Sequence, residues 1–576
     1  MKCFVHSKYL IAAITTLFGF LFMLSTAAPV RAGGVILDCD NDSAFSSALA
    51  SGGEVTFNCG NANLDATIAL SSTKTISLHT TIDGGGKITL SGSFSSRLFV
   101  VNSGIHLTLK NISLINGYNS DGNGGGAVYN TGTLALDNVT IQNMPDSGFN
   151  GGAISTVGSL NIANSTFFNN KALNGGAIYA NGSGAIISIS ASRFEENKAT
   201  GTVQNTNGFG GAIYAKNGGQ VNIGDTLFYK NTANDGGALY IGSPNETLNL
   251  QTSELRENSA RHLGGALLNG STSSLTDVTI DNNSLTGISS GGGIFNYANL
   301  TLLRVTLSNN KGYNGAGIVN YLGTANLTNV TLSGNLAIAY GGGIDNYKAT
   351  MNLTNVTLNG NSHGILNQTN PDTHLNLKNV IIANSKTGDN CDFNQQPDTS
   401  ENNLSSDASC NFSSSGGQDS VKIKLGKLET NGGKTLTHRL LPGSPAIDNG
   451  TSVNNPKDQR EVARPQGAAF DVGAVEFVPC AGTPTKPMLL SPKGGVVVTT
   501  PQATLDWAGP DCVKTFSVIV RRDSKTGPIV FSKSNIKTTQ VKTPNLAVDH
   551  KYFWQVKSCL GGNCVSSIWG KFRTQN

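Results

Sequence analysis

Charge is scarce in this chain. Only 40 of its 576 residues are Lys or Arg and 36 are Asp or Glu, leaving a net charge of +4. No Lys/Arg-rich run occurs, so the basic footprint of a nucleic-acid binder is missing. Beyond residue 32 there is no run of about 18 apolar residues, the length a membrane helix needs. No Cys-x-x-Cys pair with a nearby His offers zinc ligands. No helical periodicity interrupts the central part of the sequence. Glycine, by contrast, is abundant at 70 residues, well above the usual share of about 7%.

Residues 1–32 read as a secretory signal. Lys2 and Lys8 precede the apolar run Tyr9–Leu24, and Val30-Arg31-Ala32 supplies a small-residue end before Gly33-Gly34. An uncleaved anchor is the competing reading; cleavage leaves a mature chain with no membrane span. Export to an oxidising compartment suits the eight remaining cysteines. Proximity suggests the pairs Cys39–Cys59, Cys391–Cys410, Cys480–Cys512 and Cys559–Cys564, though spacing alone leaves other connectivities open.

The glycines recur in pairs. The residue after each pair, or its equivalent, falls at Ala127, Ala153, Ala177, Ala212, Ala238, Ala266, Gly293, Gly317 and Gly343, in steps of 24 to 35 residues. A second marker, an apolar residue followed three positions later by Asn, runs from Phe167…Asn170, Phe194…Asn197 and Phe228…Asn231 to Leu358…Asn361. Between the markers lie short alternating runs such as Leu353-Thr354-Asn355-Val356-Thr357-Leu358, which read as strands. A near-constant period signals a repeat architecture. The pattern predicts an all-β chain whose repeats are coils of a parallel β-helix, with apolar ladders inside, Asn ladders bonded along the stack at turns, and Gly at the corners. A phosphate-binding Gly loop needs a helix start behind it; these pairs lead into strands. The Asn-x-Ser/Thr triplets recur with the strands and read as products of the repeat.

The two markers resemble the GGA-I/L/V and F-x-x-N repeats of chlamydial polymorphic outer-membrane proteins over roughly Gly124–Asn384. The resemblance implies a right-handed, pectin lyase-like solenoid, and several members of that family are adhesins. The family's membrane β-barrel is not found in this sequence, so barrel export does not carry over. Asn390–Phe412, Asn431–Gly450 and Asp458–Phe477 are similar to the tail of bacterial choice-of-anchor Q surface proteins, which closes a β-helix; Glu461 stands where Gly commonly follows the Arg. Asp448, Asp458, Arg460, Arg464 and Asp471 in this tail read as a buried cap network. After Cys480, the short strands Ala503–Trp507, Phe516–Arg521, Ile529–Phe531, Thr539–Lys542, Tyr552–Ser558 and Trp569–Arg573 resemble a fibronectin type III β-sandwich. There Trp507 and Trp554 read as core.

The expected organisation is a signal at 1–32, an N-terminal cap with a short helix over Ala44–Leu49 and the first coils at 33–124, β-helix repeats at 125–390, final coils and cap at 391–480, and the small sandwich at 481–576. Residues 481–576 hold 13 Lys or Arg against 4 Asp or Glu, a surplus of nine positive charges. With the three cations of the first 32 residues and the whole chain at +4, the part between carries −8. A basic module on an acidic rod predicts docking on an anionic envelope polymer.

Function should lie in columns that vary between coils. Beside the Asn marker, successive coils gather Glu195, Glu196, Lys230, Arg256, Glu257 and Asp281. Glu196, Lys230, Arg256, Glu257 and Asp281 are the catalytic candidates of a carbohydrate-active enzyme, a polysaccharide lyase or glycoside hydrolase. It would act on an acidic polysaccharide with Lys230 or Arg256 as base and carboxylates holding Ca²⁺. The alternation Glu196–Lys230–Glu257 also relieves like-charge stacking without any chemistry, and no His joins the cluster. The preferred reading is non-catalytic: a secreted or cell-surface, adhesin-like protein with no cofactor. Its expected partner is an envelope or extracellular polysaccharide or another surface ligand, not nucleic acid. Oligomeric state is left open.

Overall fold

The structure, a computed structural model, describes residues 32–60, 65–201, 207–479, 484, 486–509, 513, 515–560 and 563–575. Residues 1–31 of the proposed signal lie outside them, as do Cys480 and Cys512.

Parallel strands stack into a β-solenoid of about 13 turns. Three parallel sheets run along it, of 23, 13 and 7 strands. In the longest sheet each coil contributes two segments, such as Gln220–Gly224 and Leu227–Tyr229. Alternation fixes which side faces in. Leu134, Leu160, Ile187, Val221 and Leu248 are paired coil to coil and buried, and their neighbours point out. A slip of one residue would turn this ladder to solvent. Phe167, Phe194 and Phe228 stack in the interior at 4.6 and 5.1 Å between ring centroids.

The Gly pair is the corner between the third and second sheets. Gly175 has φ +59°, and a Cβ on Gly176 would strike the carbonyl oxygen of Gly211 on the next coil. The first glycine is needed for its backbone angle and the second for coil-to-coil contact.

The Asn of the second marker forms a buried ladder from Asn170 to Asn361. Each Nδ2 donates to the Oδ1 of the next Asn at 2.9–3.0 Å. A second buried ladder joins Asn269, Asn296, Asn320, Asn346 and Asn367 on the 13-stranded sheet. The equivalent positions in earlier coils are Asn130, Thr156, Ala180, Ala215 and Ile241, so the Asn column is interrupted over four coils.

At the N-terminal end helix α1, Asp42–Ala50, covers the first coil, where Ala44–Leu49 was expected. Asn41 caps it by accepting from the backbone N–H groups of Ser43 and Ala44. Phe45 plugs the core, and the Cys39–Cys59 disulfide pins the element. Cys391–Cys410 and Cys559–Cys564 are also bonded as proximity suggested.

Beyond the last coil comes an antiparallel hairpin, Leu425–Glu429 with Thr437–Leu440, and then an irregular segment to residue 479. Small, mainly antiparallel sheets follow, around a separate core that includes Trp507, Phe516, Tyr552, Trp554 and Phe572. All six strands read from the sequence are present there, with shifted ends. Met488–Ser491, Val496–Val498 and Asn563–Ser566 are additional. Trp507 and Trp554 are fully buried, so neither offers a stacking platform.

Candidate functional site

The outward face of the longest sheet is divided lengthwise. A column of left-handed residues, among them Asn164, Ala191, Asp225, Thr252 and Asp277, bends each coil between its two segments. Two lanes result, one from each segment.

The second lane holds the sequence candidates. Glu195, Tyr229, Arg256 and Asp281 sit in register on successive coils. Glu196, Lys230 and Glu257 follow them at φ 55°, 54° and 56°, at positions filled elsewhere by Asn or Gly, such as Asn169, Asn282 and Gly334. Left-handed geometry costs residues with a longer side chain about 1–2 kcal/mol each. Tyr229 is the hub. Arg193, Lys230 and Arg256 lie 5.7, 4.9 and 5.0 Å from its ring centroid, and Arg193 also pairs with Glu195 at 2.6 Å. Asp281 accepts from Ser308 Oγ and Asn309 Nδ2 of the next coil.

This chemistry suits a charged surface better than a base. The Tyr229 hydroxyl, with Glu257 and Glu196 nearby, holds the Lys230 ammonium above its ordinary pKa, and arginine does not give up its proton in proteins. Among the described residues, no three His, Cys, Asp or Glu side chains converge as a metal site requires.

The first lane carries neutral polar side chains, including Gln220, Asn222, Thr247, Asn249, Thr272 and Thr301, around a shallow depression of about 420 Å³. The signal was present as the outward positions of the strand before each Phe-x-x-Asn marker. A search for paired charges does not register it.

The segment after the last coil decides how much of this face is open. It does more than close the end. It turns back along the second lane, where Thr306 Oγ1 donates to the Leu436 carbonyl and Thr331 Oγ1 to Gln459 Oε1. Ala474 N donates to Thr357 Oγ1 and Asn379 Nδ2 to the Thr451 carbonyl. His438 is buried and held neutral: Nδ1 donates to the Gly426 carbonyl, Nε2 accepts from Ser333 Oγ and Asn359 Nδ2, and burial lowers its pKa. The segment itself is tied by buried pairs, Arg460–Asp458 at 2.9 Å and Arg464–Glu476 at 2.8 Å. Asp448 N donates to Asp471 Oδ1, but Asp448 itself is exposed and not part of the buried network expected there. Glu461, at φ 66°, keeps the turn that a glycine would make easily. The second lane is thus covered from Thr306 onward and open over the coils of Glu196, Lys230 and Glu257.

The aromatics of the 13-stranded sheet over the matched coils are largely covered, whereas Tyr297, Tyr321 and Tyr347 further along are exposed or half-buried. Tyr179 and Tyr214 are packed beneath Phe209 and buried. Next to them Glu246, also buried, has its pKa pushed up to about 7 by burial, and accepts from Ser243 N at 3.0 Å. An acid whose pKa is raised on folding weakens the fold as pH rises from its ordinary value to the folded one. The chain should therefore lose stability between about pH 4.5 and 7. Glu246→Gln should flatten that part of the curve of melting temperature against pH.

Three stretches, 164–181, 191–216 and 225–242, match the Chlamydia polymorphic membrane protein repeat. No significant match is found among curated proteins. The matched stretches include Asn170, Asn197 and Asn231 of the first ladder and Glu196 and Lys230 of the open face. What the chain shares with that family is the coil: the Gly corner, the apolar ladder and the buried Asn of a polymorphic membrane protein-like β-helix.

Proposed function

We propose that this chain is a surface-exposed, adhesin-like protein that binds through the open part of its long solenoid face and performs no catalysis. The observation that carries the reading is the coincidence of the matched repeats with coils whose outward face the C-terminal segment leaves free. The solenoid is read as right-handed and pectin lyase-like, exported by a cleaved signal at 1–32. A choice-of-anchor Q-like tail at 391–480 closes it, and a fibronectin type III-like sandwich forms residues 481–576. The surplus of nine positive charges in that last part suits docking on an anionic envelope polymer.

The test is retention of the labelled full chain on bacterial envelope preparations and on cell surfaces, with a panel of acidic polysaccharides assayed in parallel for cleavage. Saturable retention with intact polysaccharides is expected. Absence of retention on every surface would contradict the proposal, as would depolymerisation that Lys230→Ala abolishes.

A further inference from the structure

The first lane is devoid of charge over most of its length. From Ser159 to Thr354 eight successive coils each offer three outward positions, and none of these 24 residues is Asp, Glu, Lys, Arg or His. At about 4.8 Å per coil the neutral strip is roughly 34 Å long. One bend away, the second lane holds Arg193, Glu195, Glu254, Arg256 and Asp281. Neutrality is therefore a property of the lane and not of the solenoid.

The strip is rich in Asn, Gln, Ser and Thr, half-buried or exposed, and some of these are already aligned along the axis. Asn249 Nδ2 donates to Asn222 Oδ1 at 2.9 Å, and Asn352 Nδ2 to Asn326 Oδ1 at 2.8 Å. The depression spans four coils of it. Ser273 reaches its lining from the interior ladder, where its neighbours on adjacent coils are Leu248 and Leu300. Its Oγ points inward and donates to the buried Asn269 Oδ1 at 2.6 Å, so the side chain does not itself face the depression.

We infer that this lane binds an extended neutral polysaccharide lying along the solenoid axis, an inference that rests on the surface-binding reading above. Amides and hydroxyls both donate and accept, as sugar hydroxyls do. A charged polymer finds no counter-charge here, and an apolar partner would strip water from polar groups without replacing their hydrogen bonds. The coil repeat offers a similar set of groups at each step, which suits a ligand that itself repeats along a line.

The test is affinity electrophoresis and calorimetry of the full chain with neutral dextran, β-1,3-glucan and galactomannan, alongside acidic polygalacturonate and alginate. Binding to at least one neutral polymer is expected. It should persist near 1 M salt, where the Debye length is only about 3 Å. Ser274→Arg and Asn249→Arg should each weaken it by about tenfold or more, the effect of removing one good hydrogen bond to the polymer, with unchanged melting. Ile338→Arg, just after the strand Leu336–Ala337 of the 7-stranded sheet and away from both lanes, should leave it intact. The inference is overturned if no neutral polymer binds, or if binding ignores both arginine substitutions. Retention on envelopes without any neutral-glycan binding would remove this inference and leave the surface-binding reading standing; loss of both would remove the two together.

Discussion

Arg464→Leu is expected to destabilise the C-terminal segment by about 3–5 kcal/mol, the usual cost of stranding one member of a buried ion pair. Arg464 and Glu476 are both fully buried, with Nη1 2.8 Å from Oε2. Arg464 also donates to the carbonyls of Asp471 and Gly473, so its loss leaves the carboxylate and two carbonyls short of partners. Burial already pushes the Glu476 pKa up, and removal of the cation raises it further. The penalty should shrink as pH falls and Glu476 protonates, because the stranded group is then neutral. Arg464→Leu with Glu476→Leu should recover much of the loss. Because this segment covers Ile381, Ala383 and Leu404, its release should show as an early unfolding transition with uptake of a hydrophobic dye. A single unshifted transition would mean that the pair does not hold the segment down.

Asn258→Ala is the second large effect. Asn258 Oδ1 accepts from both the N–H and the Nδ2 of Asn231, and its own Nδ2 donates to the Phe228 carbonyl and to Asn283 Oδ1. Truncation strands two or three fully buried groups at about 1–3 kcal/mol each, so a loss of roughly 4 kcal/mol is expected. Asn282→Ala, one turn position away and exposed, should cost only about 1–2 kcal/mol, through its left-handed backbone. A solenoid transmits instability mainly to neighbouring coils. Amide exchange in Asn258→Ala should therefore accelerate over the coils from Phe228 to Asn283 and stay slow around Leu107 and Val356. Uniform acceleration along the rod would contradict a nearest-neighbour account.

These two sites also show what a reader of the sequence can and cannot see. Asn258 was legible because the ladder recurs at the coil period, and periodicity converts directly into stacking. The corner glycines, the Phe stack and the capping helix were legible for similar local reasons. The path of the C-terminal segment was not, because its contacts join residues such as Ser333 with His438 and Thr331 with Gln459, more than 100 positions apart and without any repeat. The charged lane was found because charge is conspicuous in a chain that has so little. The neutral lane was passed over because its residue types are those of any solvated strand. It became visible only once the coils were stacked in register and the covered part of the face was known. Buried Glu246 likewise carries little local signal, since its environment combines Ser243 and Gly242 of its own turn with Gly218 and Lys216 of the coil before.

The measurement closest to the central claim compares attachment of particles coated with the full chain to envelope preparations for two substitution sets. One places arginines on the open face, Ser274→Arg with Asn249→Arg; the other is Ile338→Arg, at a side chain 78% exposed away from the two lanes. Attachment should fall at least several-fold for the first set and be unchanged for the second. Equal attachment by all three proteins, or loss only with Ile338→Arg, would contradict the assignment of binding to this face.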